Sequence, residues 1–241
     1  MKMTRKFIPA LVMLLVSAIM LSTASFAWFA SNTEVTATDM SVTAKANTKF
    51  LHISNAEAGT YDITAEAVNA EANVDLVHAT IDAGNKKSVT WGVGTSSSIT
   101  DANVGSPLTT VDAGDIAGNY ALVNDFWVKM SDESSSGLEN LTVAEITVTG
   151  TSTLAPALRV LVVGNDGAQL YKEQDGDWVA ADANNATALV ASIATENKYK
   201  VTVYVFYDGA DASAKTENTV DPGSLTAMTV SVKFSATEPT A

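Results

Sequence analysis

The sequence predicts an all-β protein, a jelly-roll-like antiparallel β-sandwich with one or two short helices, preceded by an N-terminal apolar signal helix. Three stretches carry that expectation. Leu225–Ala236 puts Met228, Val230, Val232, Phe234 and Ala236 on one face and Thr229, Ser231, Lys233 and Ser235 on the other, the period of a half-buried antiparallel strand. Tyr199–Tyr207 (YKVTVYVFY) is β-branched and aromatic throughout, and Leu158–Val163 (LRVLVV) is apolar on both faces, as in a buried strand. Many short strands joined by polar turns, without an internal repeat or a convincing linker, imply one sandwich.

The chain divides into residues 1–27, 28–46 and 47–241. In the first, Lys2, Arg5 and Lys6 precede an uncharged run from Phe7 to Ala30 whose densest part, Ile8–Leu21, has the length of a signal-peptide core. Ser25 and Ala27 then occupy the −3 and −1 positions relative to Trp28, where signal peptidase requires small side chains, so cleavage after Ala27 is expected. A retained membrane anchor is the competing reading, since about 20 uncharged residues can span a bilayer. Ser22, Thr23 and Ser25 dilute the segment and no basic flank follows it, which favours cleavage. A type IV pilin leader would need a cleavage site before the apolar run and a glutamate within it, and neither is present.

Residues 28–46 read as a strand. Val35 and Ala37, then Met40, Val42, Ala44 and Ala46, alternate with polar residues, and a one-residue phase slip near Asp39 predicts a bulge or two short strands. Phe50–Ser54 is a second strand, Ala56–Leu76 is aperiodic with some helical character, and Val89–Val93 is a strand. Thr95–Gly118 reads as long loop or irregular edge. Tyr120–Ser131 follows, with Phe126, Val128 and Met130 on one face, then Leu141–Thr149. The GNDG turn at Gly164–Gly167 reverses Leu158–Val163 into Ala168–Tyr171, and a turn at Gln174–Gly176 leads to Trp178 and Val179. Asn184–Ile193 has near-helical apolar spacing behind a capping Asn and is the expected helix.

Composition narrows the function. The chain has no cysteine, so neither a disulfide framework nor a thiolate metal site is possible, and an apolar content of 46% over 241 residues must supply the stability. Without the leader's three basic residues, 11 Lys and Arg face 27 acids, a net charge near −16. Such a chain has no basic patch with which to displace counterions from nucleic acid or to bind anionic lipid, so a membrane is met only through the uncleaved leader. His52 and His78 are the only histidines and read as ordinary strand or surface residues. No serine sits in a GxSxG elbow and no phosphate-binding glycine loop is present. Acidic turns at Asp166, at Asp175 with Asp177, and at Asp208 with Asp211 offer oxygen ligands for calcium but match no EF-hand loop, so solvated turns are expected. Trp91, Trp127, Trp178, Tyr204 and Phe206 lie in strand patterns, which favours core packing over a sugar platform. No enzyme and no cofactor are expected.

The junction FAWFASNTEVTATDMSVTAKA (Phe26–Ala46), with its small-residue cleavage site, aromatic pair and following strand, resembles the start of the TasA/camelysin family. The closing pair, KVTVYVFYDG and LTAMTVSVKFSAT, is similar to the last strands of that group. The resemblance covers the two ends; the acidic, Ala/Thr-rich middle agrees only in strand pattern. It implies a jelly-roll domain, processing by a signal peptidase of the SipW type, and export as a biofilm-matrix or surface fibre subunit. It further implies self-assembly in which the mature N-terminal strand adds to the next subunit. Val35, Ala37, Met40, Val42 and Ala44 would then fill the acceptor, with Trp28 and Phe29 anchoring the junction. Two alternatives stand beside it: the strand belongs to its own sheet, and the protein is a monomeric secreted or anchored binding module for glycan, calcium or a surface protein. Although camelysin has been described as a protease, no residue set here carries that activity. The C-terminal SATEPTA lacks a sortase motif.

Overall fold

The computed structural model describes residues 34–38, 41–42, 51–69, 75–94, 108–131, 137–150, 155–211 and 229–239. The leader with Ser25, Ala27 and Trp28, and the strand residues Met40 and Ala44, lie outside these. The strands in chain order are β1 (Glu34–Thr38), β2 (Ser41–Val42), β3 (Leu51–Ser54), β4 (His78–Ile81), β5 (Val89–Gly94), β6 (Leu108–Val111) and β7 (Leu122–Met130). They continue as β8 (Leu138–Thr149), β9 (Leu158–Val163), β10 (Ala168–Gln174), β11 (Asp177–Ala180), β12 (Val190–Ile193), β13 (Lys198–Tyr207) and β14 (Thr229–Thr237).

Every ladder is antiparallel. A five-stranded outer sheet runs β12-β8-β14-β1-β2, a six-stranded central sheet β11-β10-β9-β13-β7-β3, and a small sheet β4-β5-β6. This is the jelly-roll-like sandwich the periodicity predicts, with a third layer added.

That third layer explains the two-sided apolar strands. Val201, Val203 and Val205 of β13 and Leu158, Val160 and Val162 of β9 face a core shared with Ile146 of β8 and with Val230, Val232 and Phe234 of β14. The alternate residues, Leu161 of β9 and Phe206 of β13, face a second core closed by Val77, just before β4, and by Ile81 and Trp91 of the small sheet. Trp91 meets Tyr204 and Phe206 at ring-centroid distances of 5.3 Å each, the latter edge to face. A strand buried on both faces cannot alternate in polarity, and its sequence does not. On β7, by contrast, Phe126, Val128 and Met130 are buried while their neighbours are half-exposed, as the alternation requires.

Turn chemistry closes the hairpins. Gly164 N–H donates to the Gly167 carbonyl at 2.8 Å across the GNDG turn. Asp175 and Gly176 (φ 57° and 92°) form a two-residue turn in the left-handed region, where a glycine at the second position relieves the Cβ clash. The phase slip near Asp39 resolves into two short strands: β1 and β2 pair with each other, Thr38 opposite Ser41.

The expected helix at Asn184–Ile193 is not formed. Helical content among the described residues is two single 3₁₀ turns, Ala113–Asp115 and Ala155–Ala157. Asn185 instead exchanges two side-chain hydrogen bonds with the Leu170 backbone (2.9 and 3.0 Å), and Ala186 N–H donates to the Ala168 carbonyl (2.9 Å). Asn184, expected as the cap, donates to the Ile81 carbonyl. The segment is thus held irregular against β10 by long-range bonds that override its local preference, and Val190–Ile193 ends it as a strand.

The described part of Ala56–Leu76 is likewise not helical. It runs as a strap along β3 and β7, tied by the Ile53–Asp62 bridge and by paired Asn69–Asn124 amide bonds at 2.8 and 2.9 Å. The strand His78–Ile81 falls where none was expected, and Leu108–Val111, within the stretch Thr95–Gly118 read as long loop or irregular edge, is an edge strand of the small sheet.

Candidate functional site

β1 is the first of the described strands and carries or pairs with three of the residues singled out in the sequence. β1 lies against β14, with Glu34 opposite Ser235, Val35 opposite Phe234 and Thr36 opposite Lys233. On its other side, Ala37 pairs with Val42 of β2. Of the residues expected to fill an acceptor, Val35, Ala37 and Val42 are therefore on paired strands within the same chain. On its far side β14 pairs with β8 from Thr149 to Glu139. Without β1, the β14 backbone would become an edge; with it in place the Val230, Val232, Phe234 and Ala236 side chains are buried. β14 thus has β8 on one side and β1 on the other.

A second feature is a charged network where the central and small sheets meet. Arg159, on the face of β9 toward the small sheet, is 4% exposed. Its Nη1 donates to the carbonyls of Pro156 (2.8 Å) and Leu158 (3.0 Å), its Nη2 to Asp211 Oδ2 (2.5 Å), and its Nε lies 3.3 Å from Asp208 Oδ2. Asp208, just past the end of β13, accepts through Oδ1 from the Ala210 N–H and meets His78 Nδ1 of β4 at 2.8 Å. The backbone repeats the link: Val77 N–H donates to the Tyr207 carbonyl and Gly209 N–H to the Val77 carbonyl. The hydrogen bond to Asp208 raises the His78 pKa above its ordinary value; Asp208 and Asp182 add attraction, while burial and Arg159 oppose it. A buried guanidinium saturated by two carboxylates and two carbonyls is a strut between layers.

These contacts show what the acidic turns do. Asp208 and Asp211 face Arg159 and His78. Asp166 accepts from the Ala191 N–H, and Asp175 lies in the exposed β10–β11 turn with Asp177 directly after it. Among the described residues no three His, Asp or Glu side chains converge as a metal site would require. His52, on β3 opposite Lys129, stands apart from the network. Of the aromatics, Trp91 and Phe206 are core residues, whereas Trp127 and Trp178 are half-buried, with Lys200 Nζ 5.9 Å from the Trp127 ring centroid.

Sequence reasoning missed Arg159. The signal was available: a lone guanidinium inside LRVLVV, a strand otherwise buried on both faces, requires acidic partners, which the turn after β13 supplies. Also missed was Gln169, which joins the outer and central sheets. It accepts from the Val143 N–H (3.2 Å) and the Tyr171 hydroxyl (3.0 Å) and donates to the Ala186 carbonyl (2.9 Å). Burial pushes the Tyr171 pKa up to about 12, so its hydroxyl stays protonated as the donor.

Comparison with protein-family models, with curated proteins and with solved structures gave no match.

Proposed function

We propose that the chain is a secreted structural subunit that polymerises head-to-tail into extracellular or surface fibres, its N-terminal strand adding to the next copy after the leader is removed. The observation that carries this reading is the place of β1: the first described strand pairs with the last described one in the outer sheet. Its ladder uses backbone groups that an identical strand from another copy satisfies equally well. Exchange of such a strand preserves each hydrogen bond while joining two chains, and a head-to-tail contact propagates rather than closing. Residues 43–50, between β2 and β3, have a contour of at most about 28 Å, enough for the strand to reach a neighbour in contact. The leader supports the same order of events, since an uncut strand stays tethered at the membrane. The resemblance of both chain ends to the TasA/camelysin family points the same way, including a peptidase of the SipW type as the processing partner.

A second reading has its own observation. β1 pairs within its own chain, as in a monomeric secreted sandwich that binds a glycan, calcium or a surface protein. Electron microscopy separates the two. Protein beginning at Trp28 should form regular filaments, and protein lacking Trp28–Ala46 should stay folded and unassembled. Folded monomers from both would favour the binding module.

A further inference from the structure

The outer sheet has an open flank opposite the N-terminal strand. β12 covers β8 only along Leu138–Leu141. Beyond it, the Val143 N–H is taken by the Gln169 side chain, and among the described residues no strand pairs with Ala144–Thr149 on the side away from β14. A groove of about 690 Å³ runs along this stretch, lined by Ala144, Glu145, Ile146, Thr147 and Val148 in succession. A strand face presents alternate residues, so five consecutive ones mark an accessible strand edge. The opposite wall is the β10–β11 hairpin with Glu173, Asp177 and Trp178, and Leu158 also lines the groove. β11 is itself the edge strand of the central sheet. Among the described residues the sandwich is therefore open where one more strand would fit beside β8.

We propose that this flank captures an extended peptide carrying lysine or arginine at alternate positions, by strand addition to β8. The pleat sets the pattern. Ile146 is buried and Val148 half-buried, so alternate side chains of an added strand would point inward onto Ile146, Val148, Leu158 and the Trp178 ring. The intervening side chains point outward beside Glu145 and Thr147, both exposed. Glu145 has its carboxylate in the open, with Lys233 Nζ 3.5 Å away, and Asp177 adds a second exposed carboxylate from the facing hairpin. Glu173 accepts from the Gly176 N–H, which leaves its other carboxylate oxygen for a cation. Opposite charges across a strand pair are favourable, and a chain of net charge −13 repels acidic segments. The chain's own N-terminal strand bears Glu34 and Asp39 and suits the rim poorly. This inference is independent of the fibre reading, which uses the slot at β14.

The test is calorimetric titration of the purified full-length protein with a blocked six-residue peptide alternating lysine and valine. Its glutamate–valine counterpart and a peptide of the Trp28–Ala46 sequence serve as comparators. The proposal expects binding of the lysine peptide that weakens with salt, and no binding of the glutamate peptide. Glu145→Lys with Asp177→Lys should weaken it about ten-fold, through cross-strand charge reversal. Trp178→Ala, which leaves the charges intact, should weaken it as well. Thermal melts identify any variant that has lost its fold, and the wild-type comparison of the three peptides decides independently of them. Equal binding of the acidic peptide, no binding of the basic one, or tighter binding of the Trp28–Ala46 peptide would overturn the proposal; the last would make the flank an acceptor for a second copy.

Discussion

β13 and β1 are both strands of alternating β-branched residues, yet they are held in opposite ways. β13 pairs with β7 over Lys198–Val205 and with β9 over Thr202–Tyr207, and its two faces enter two different cores. β1 pairs three residues with β14 and two with β2. Removing β13 would cost both cores as well as two ladders. Exchanging β1 for another copy's β1 would conserve its backbone pairing. A strand fixed by packing on both faces belongs to one molecule, whereas a terminal strand fixed by a short ladder can be shared.

The contrast is broken most severely at the β13 end. Phe206→Ala removes a fully buried ring from beside Trp91 and should cost about 3–5 kcal/mol in denaturant unfolding. Arg159→Met should be nearly as damaging, about 3 kcal/mol, because Asp208 and Asp211 lose their guanidinium partner in a largely buried site. A loss below 1 kcal/mol would show that the network is not a strut. Gly176→Ala, at φ 92° in an exposed turn, should cost about 1 kcal/mol.

The pH effect is smaller and has a defined sign. The His78 pKa is raised in the folded state, chiefly by its hydrogen bond to Asp208. Its contribution is therefore complete below about pH 6.5, the unfolded value, and is lost as pH rises through the folded-state pKa. Melts of the wild type and His78→Gln should differ most below the unfolded value, near pH 5, and converge as pH rises through the folded-state pKa. A gap that widens with pH would reverse the assignment. At the β1 end, deleting Trp28–Ala46 should change the unfolding midpoint least of all while abolishing filaments, which electron microscopy and a melt on the same sample would read together.

What the sequence disclosed follows from where the stabilising contacts lie. Phe126, Val128 and Met130, and Val230, Val232 and Phe234, were legible because one-sided burial writes a period of two into the chain. LRVLVV was legible as a doubly buried strand, but nothing local said that a third sheet covers its second face. Asn184–Ile193 misled because its helical spacing is genuine and is overruled by Asn185 bonding to Leu170, a contact set by tertiary position. HATI and LTTV were too short and too polar to register, and their pairing with β5 supplies what their composition lacks. The Arg159–Asp208–His78 network joins two strands, β9 and β4, with the turn after β13, all far apart in sequence, and only the fold brings them together.

The absence of cysteine permits a direct test of strand exchange. Glu34 and Ser235 are opposite one another in the β1–β14 ladder, a separation a disulfide can span. Glu34→Cys with Ser235→Cys, assembled from the chain beginning at Trp28, oxidised and run without reductant, reports whose strand fills the slot. The fibre account predicts a ladder of covalent multimers that collapses to monomer on reduction, with internally bridged monomer before assembly. Internally bridged monomer alone, at every concentration and in any filaments formed, would contradict it.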